Sequence, residues 1–162
     1  SCHMGTHLDA PGHFIAHGKK ICEYPITKFI GQIVAVDAQN RSEIGIDLVK
    51  DLVKKDDIVL FYTGWSDKLH DPNYFYNYPS ISLSCAQYLV NQKVKMVGID
   101  GPSVDYAPFA IHKLLLAHDI LIIENLTNLQ KLLGLDNIEL LAFPLKLDAH
   151  GAPARVVAKV ID

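Results

Sequence analysis

The chain has 162 residues, a length typical of a single domain that can bury a hydrophobic core. Hydrophobic residues make up 49% of it and charged residues 20%, a composition that excludes an intrinsically disordered protein. The formal net charge of -3 excludes the basic surface of a nucleic-acid-binding protein, and no apolar run reaches the roughly 18 residues of a membrane span. We therefore expect one domain over residues 1–162, with neither a nucleic acid nor a membrane as its partner.

The first predicted element is the stretch SCHMGTHLDAPGHF at residues 1–14. Side chains of the types that bind metals, histidine and aspartate, recur in it at odd positions. A glycine and a proline disfavour a helix, and an extended strand would place His3, His7 and Asp9 on one face, with His13 just beyond a turn. Imidazole and carboxylate ligands suit a divalent transition metal such as zinc or manganese. We interpret the stretch as a metal site; the alternatives are a His-rich surface loop and the remnant of a purification tag.

Strands and helices alternate along the rest of the chain. Short apolar runs predict strands over residues 31–38, 57–65, 94–100, 120–125, 138–147 and 154–161. Helical spacing and capping residues predict helices over residues 42–55, 82–93, 108–119 and 126–134. The alternation favours an α/β domain with a substantially parallel sheet and an antiparallel strand-rich tail. The polar, aromatic and proline-containing sequence of residues 66–80 predicts a long loop, and long loops often carry functional residues.

The ends of the predicted strands carry a second group of candidates, because ligands usually bind beyond the C-terminal ends of strands in open α/β sheets. Glu124 closes the apolar run ILII, and a buried carboxylate must be paired or metal-bound unless it caps the next helix near Thr127. His112 lies on the preceding helix and could face the same pocket, or it could be an ordinary helix histidine. Ser103 could contact a ligand or form a turn.

The three cysteines are Cys2, Cys22 and Cys85, which form neither a CxxC pair nor an even framework. Such a set predicts free thiols in a reducing compartment and, with no signal peptide in the sequence, a cytoplasmic protein. A hydrolase with Cys2 or Cys85 as its nucleophile is an alternative, although neither lies in a recognisable nucleophile context.

The stretch HMGTHLDAPGHF resembles the HxGTHxDxPxHF signature of the cyclase-type metal-dependent hydrolases, a family that includes bacterial kynurenine formamidase and isatin hydrolase. The likeness continues through DIVLFYTGWSDK, GIDGPSVD, HKLLLAHDILIIENLTNL and GAPARVVA, so it extends over essentially the whole chain. It implies the family's swivelling β/β/α fold, with a mixed sheet and flanking helices, and a homo-oligomer, either a dimer or a tetramer. Family members carry a further N-terminal segment before the signature, and this chain begins with Ser1. We therefore expect the natural protein to continue upstream.

The resemblance also implies roles for individual residues. The metal ligands it implies are His3, His7, Asp9, His112 and Glu124. Asp9 would bridge two ions in the two-metal members, and His13 matches the catalytic histidine. Phe14, Trp65 and Ser103 are candidates for the substrate pocket; the aromatic side chains, and Tyr62 with them, could instead pack in the core.

These observations predict a metal-dependent hydrolase of a small amide, most similar to an arylformamidase that converts N-formylkynurenine to kynurenine and formate. The cofactor would be zinc or manganese, as one or two ions, that activates a water molecule. His13 would act as the general acid and base. The alternatives are a hydrolase that opens a cyclic amide, as isatin hydrolase does, and a metal-binding module without turnover.

Overall fold

Apolar strand segments form most of the framework within residues 1–161, the range that the computed structural model describes. The strands are β1 (His7–Asp9), β2 (Ile30–Asp37), β3 (Glu43–Ile44), β4 (Ile58–Tyr62), β5 (Ser80–Ile81), β6 (Met96–Ile99), β7 (Leu121–Glu124), β8 (Ile138–Pro144) and β9 (Gly151–Val160). The α-helices are α1 (Leu83–Gln92) and α2 (Ala110–Ala117). In the described range neither helix is long and apolar enough to cross a membrane.

Seven of these strands close a barrel in the order β1-β7-β6-β4-β2-β8-β9, and β9 returns to pair with β1. The central strands β2, β4, β6 and β7 are parallel, whereas β1, β8 and β9 make antiparallel pairs. The short strands β3 and β5 form a separate parallel pair. The predictions of an α/β domain, a largely parallel central sheet and an antiparallel tail are therefore confirmed, and the barrel fits the swivelling β/β/α fold.

The two faces of the sheet bury separate hydrophobic clusters because successive side chains of a strand point to opposite sides. Val59 and Phe61 of β4 pack with helix residues such as Leu89, outside the barrel. Ile58 and Leu60, from the same strand, belong to the other cluster inside it. Full burial of such a side chain contributes about 1.5–3 kcal/mol. These clusters hold the strand ends on which the candidate site residues lie.

The predicted helix over residues 42–55 is wrong. The segment contains β3, a 3-10 turn at Ile46–Leu48 and further turns. Gly45 is extended and Asp51 has a φ of 67°, so the backbone leaves the helical region on both sides of the turn. The apparent four-residue repeat also includes Leu52, whose side chain is 58% exposed and therefore does not belong to a buried face.

Two other segments are less regular than their sequences predict. The first strand comprises only His7–Asp9, since the residues before it form bends around Gly5, whose φ is 61°. The predicted helix over residues 126–134 is reduced to a 3-10 turn at Leu129–Leu132.

A close backbone contact at Gly18 fixes the segment that leads to His13. A Cβ atom at Gly18 would lie 2.6 Å from the carbonyl carbon of Pro11 and 2.7 Å from the nitrogen of Gly12. Because backbone cannot move aside as a flexible side chain can, we expect Gly18→Ala to lower the free energy of unfolding by about 1–3 kcal/mol. Urea denaturation would measure this. Gly101→Ala is the matched control, since its nearest contacts would lie at 3.9 Å; equal midpoints for the two variants would contradict the prediction.

Candidate metal centre

Three segments of the chain bring metal-binding types of side chain together at one end of the barrel. His7 and Asp9 lie two positions apart on β1 and therefore face the same side. Glu124 is the register partner of His7 on β7, and His112 projects from α2. All four are nearly inaccessible to solvent, with 2%, 1%, 6% and 3% of their surface exposed for His7, Asp9, Glu124 and His112. His3 lies beside them at the partly exposed edge.

The donor atoms form two groups that share Asp9. One Asp9 oxygen lies 2.7 Å from Nδ1 of His3 and 3.4 Å from Nε2 of His7. The other oxygen lies 3.6 Å from Nε2 of His112, which is 3.2 Å from a Glu124 oxygen. Within the sets His3, His7, Asp9 and Asp9, His112, Glu124, the donor atoms lie within 4.8 Å of one another. The carboxylate of Glu124 thus faces His7 and His112, and it does so from a buried position.

The two buried imidazoles are oriented by the nitrogen that faces away from the cluster. Nδ1 of His7 is 2.8 Å from the carbonyl oxygen of Gly5. Nδ1 of His112 is 2.5 Å from Oδ1 of Asp105, whose Oδ2 accepts a hydrogen bond from the backbone N–H of Ile111 at 2.6 Å. These contacts hold a proton on Nδ1 and direct both Nε2 atoms into the cluster, where each could offer its lone pair to a cation in place of a proton.

The donor set fits a divalent cation. Among the described residues, Nε2 of His7 and Oε1 of Glu124 are buried without a hydrogen-bond partner. Buried polar atoms are normally paired, and a group of imidazole nitrogens and carboxylate oxygens is the kind of set that binds transition metals. Asp9 and Glu124 also bring two negative charges into a site with little solvent, which a bound cation would offset.

The electrostatics of the cluster favour positive charge at its centre. Burial opposes the charged form of Asp9, but the imidazoles of His112, His3 and His7 hold its pKa well below the usual value. Burial likewise opposes the charge on His112, yet Asp105, Asp9 and Glu124 raise its pKa to about 11. Burial raises the pKa of Glu124, and the nearby Asp9 adds to this effect.

His13 lies next to the cluster, directly after the turn Pro11–His13. Its ring stacks on His3, with centroids 4.0 Å apart and planes 22° from parallel, and lies 6.3 Å from the ring of His112. Burial lowers the pKa of His13 to about 4, so the imidazole is neutral at pH 7. A neutral imidazole can accept a proton, which a general base requires.

A cavity of about 360 Å³ opens in front of the cluster. Its lining combines the metal-type residues with aromatic and small polar side chains: His3, His7, His13, Phe14, Phe75, Pro102, Ser103, Phe109, His112, Glu124 and Asn125. Phe14 and Ser103, two of the three candidates for the substrate pocket, are part of this lining. Trp65 lies outside this lining, since its indole N–H donates to the carbonyl oxygen of Tyr74 at 2.8 Å and its ring faces Lys68. Tyr62 is buried in the core.

Several residues of the site were not identified from the sequence. Asp105 lies in the quoted GIDGPSVD motif, but its contact with His112 depends on how the following loop returns to α2. Phe75 comes from the long polar loop, and Phe109 from the turn before α2. His150 directly precedes β9 near the other end of the chain, and its Nδ1 lies 3.1 Å from Nε2 of His3. Only the fold brings these residues to the site.

The cysteine alternative leads to a chemical prediction. Cys85 is fully buried on α1, and burial raises the pKa of its thiol to about 12. Because the thiolate is the reactive form, we expect iodoacetamide to leave Cys85 unmodified in the folded protein at neutral pH, although the partly exposed Cys2 and Cys22 are accessible. Peptide mass mapping would measure this, with alkylation in urea as the control. Modification of Cys85 in the folded state, with loss of hydrolysis, would support a cysteine nucleophile.

The comparisons with known proteins identify the class to which this fold and site belong. The Cyclase family model, described as "Putative cyclase", matches residues 1–106. The chain therefore belongs to the cyclase family.

Two kinds of enzyme are among its relatives. The chain is 34% identical to the kynurenine formamidase of Bacillus thuringiensis subsp. konkukian (strain 97-27), over 99% of this chain and 78% of that protein. It superimposes on isatin hydrolase A from Ralstonia solanacearum with a TM-score of 0.89 and 25% identity, over 99% of this chain and 73% of the other. The chain also superimposes on a potential metal-dependent hydrolase with cyclase activity. The TM-score is 0.79 and the identity 28%, over 96% of this chain and 78% of the other.

Proposed function

We propose that this chain hydrolyses the amide bond of an aryl formamide, with N-formylkynurenine as the substrate and kynurenine and formate as the products. The observation that carries the proposal is the buried cluster of His7, Asp9, His112 and Glu124, which opens to the cavity beside the neutral imidazole of His13. The similarity to the kynurenine formamidases of Bacillus species supports the choice of substrate.

The proposed cofactor is zinc or manganese, as one or two ions. His3, His7 and Asp9 would hold a first ion, and Asp9, His112 and Glu124 a second. Histidine nitrogen suits both metals, and the two carboxylates suit manganese in particular. A bound divalent ion supplies a Lewis acid that lowers the pKa of water and polarises the amide carbonyl.

The protein side chains move the proton and hold the substrate. His13 accepts a proton from the attacking water and donates it to the nitrogen that leaves when the C–N bond breaks. One water molecule is consumed, and the formyl carbon leaves as formate while the aromatic ring keeps the amine. Phe14, Phe75 and Phe109 provide apolar surface for that ring at the cavity wall. These apolar side chains also lower the local dielectric constant, which strengthens the electrostatic interactions between the charged groups of the cluster.

The second candidate is a hydrolase that opens a cyclic amide, and the structural similarity to isatin hydrolase A favours it. Steady-state kinetics of the metal-loaded protein on N-formylkynurenine and on isatin would separate the two. We expect kcat/KM to be at least about tenfold higher for N-formylkynurenine, a difference of about 1.4 kcal/mol in transition-state binding. A higher value for isatin would favour the cyclic-amide reaction. Bound metal with hydrolysis of neither substrate would favour a binding module.

Asp105 provides a prediction that follows from the orientation of His112. Asp105→Asn would replace the charged acceptor of the Nδ1 proton with a neutral amide, so we expect metal affinity to fall by about 10–100-fold. Equilibrium dialysis with metal analysis would measure it. Asp136→Asn, at an exposed position outside the cluster, is the matched control. Equal metal affinity in the two variants would show that Asp105 does not orient a ligand.

The proposal includes a homo-oligomer, a dimer or a tetramer, in the cytoplasm. Exposed apolar side chains on the last two strands support the assembly, with Phe143, Val157 and Val160 exposed by 37%, 48% and 51%. The free cysteines support the location. Light scattering would test the assembly, since each chain contributes 18.0 kDa; a monomer at assay concentration would contradict it.

A further inference from the structure

A second group of imidazoles lies on the solvent side of the cluster. His3, His13 and His150 each offer a nitrogen atom, and these atoms lie within 4.8 Å of one another. Their rings are nearly parallel, with centroids 4.0 Å apart for His3 and His13, 5.1 Å for His3 and His150, and 5.2 Å for His13 and His150. His150 is exposed and the other two are partly exposed. We refer to these three residues as the outer histidine group.

The backbone around His150 holds the group in place. The carbonyl oxygen of His150 accepts a hydrogen bond from the N–H of Ala10 at 2.9 Å, which ties it to the end of β1. Gly151 is the next residue, and a Cβ atom there would collide with the ring of His3. The ring of His3 therefore occupies the space that a side chain at position 151 would need, and this brings it against His150.

The distance between two of the outer nitrogens is close to the distance between two ligands of a tetrahedral metal. Nε2 of His3 and Nδ1 of His150 are 3.1 Å apart. Two histidine ligands on one tetrahedral zinc ion are separated by about 3.4 Å, since each Zn–N bond is about 2.0–2.1 Å. Because imidazole lone pairs lie in the ring plane, rotation of the rings that turns the lone pairs toward a common point, with little change in this distance, would convert the contact into a pair of zinc ligands, with His13 as the third.

His3 presents a different nitrogen to each side. Its Nδ1 faces Asp9 at 2.7 Å, within the buried cluster, and its Nε2 faces His150. One imidazole thus has a nitrogen beside each of the two groups of donor atoms. The outer group has no carboxylate, so it favours zinc over manganese and binds more weakly than the inner cluster.

We propose that the outer histidine group is a low-affinity zinc site through which excess zinc inhibits the enzyme. Zinc bound there takes the lone pair of His13 and so removes the group that accepts the proton from water. This consequence rests on the proposed function, whereas zinc binding by the outer group does not. Manganese in equal excess does not inhibit, because a site of imidazoles alone suits it poorly.

Zinc titration of three proteins tests the proposal: wild type, His150→Ala and His70→Ala. His70 is an exposed histidine outside the metal-type groups found among residues 1–161, so its variant is the matched control. Each protein is first loaded with zinc at its high-affinity sites and dialysed, and bound zinc is then measured by elemental analysis at rising free zinc. Hydrolysis of N-formylkynurenine is followed in the same samples, with manganese titrated in parallel.

We expect wild type and His70→Ala to bind one additional zinc ion, with hydrolysis falling as that ion binds. His150→Ala should require at least about tenfold more zinc for both effects. Removal of a residue that only hydrogen-bonds to a metal ligand already lowers metal affinity by about 10–100-fold. His150→Gln, which keeps a polar side chain of similar length, should behave like His150→Ala and controls for a folding defect.

Two results would overturn the proposal. Equal uptake of additional zinc by wild type and His150→Ala would remove His150 as a ligand, and full activity with the additional zinc bound would remove the inhibition. Additional zinc uptake that depends on His150, in a protein that hydrolyses none of the substrates, would instead uphold the site and contradict the proposed function.

Discussion

His13→Ala is expected to keep its bound metal and to lose hydrolysis of the amide, with kcat reduced by about 10²–10⁴-fold. The reason is the position of the imidazole: it lines the cavity but lies beside the buried donor cluster, with its ring stacked on His3. Burial lowers its pKa to about 4, so it is a neutral proton acceptor at the pH of the assay. Single-turnover and steady-state kinetics, with metal analysis of the same samples, would measure both properties.

His17→Asn is the matched control for this substitution. His17 is an exposed histidine four positions further along the same segment, and its φ of 59° is one that asparagine tolerates. We expect this variant to keep both metal and activity. Full activity in His13→Ala would show that another group moves the proton, and loss of metal in His13→Ala would place His13 among the ligands.

His7→Ala is expected to lose both metal and activity. His7 is buried on β1, and its Nε2 lies 3.4 Å from carboxylate oxygens of both Asp9 and Glu124 without a hydrogen-bond partner among the described residues. Removing His7 takes away one metal ligand. It also leaves the negative charges of Asp9 and Glu124 with one neighbouring imidazole fewer. A divalent ion would then be held by too few ligands to survive dialysis.

The melting temperature distinguishes a lost ligand from a lost fold. A ligand that binds only the folded state adds about 2.7 kcal/mol of stability at a concentration of 100 times its Kd. We expect added metal to stabilise the stripped wild type and to leave His7→Ala unchanged. Metal at native stoichiometry in His7→Ala, or equal stabilisation of the two proteins, would exclude His7 from the ligand set.

The parts of the fold that depend on local patterns were predicted correctly. β2, β4, α1 and α2 follow from apolar runs and helical spacing, and Ser82 caps α1 by accepting a hydrogen bond from the backbone of Cys85, as its position suggests. The segment 42–55 was predicted wrongly because an apolar repeat there coincides with Gly45 and a left-handed Asp51. Closure of the barrel depends on pairing between β1 and β9, which no local pattern encodes.

The candidate site divides in the same way. His7 and Asp9 could be placed together because two-residue spacing on one strand fixes their common face. Asp105, Phe75 and His150 could not, since their contacts depend on loops and on the return of β9 to β1. The short motif thus contains His3, His7 and Asp9, while the contacts of the residues that orient the cluster and line the cavity are set by the tertiary structure.

Removal and return of the metal tests the central claim most directly. The protein is stripped with a chelator, zinc or manganese is added back, and bound metal and N-formylkynurenine hydrolysis are measured in the same sample. We expect hydrolysis to disappear with the metal and to return with one or two ions per chain. Hydrolysis that persists in the stripped protein, or metal that binds without restoring it, would contradict the account.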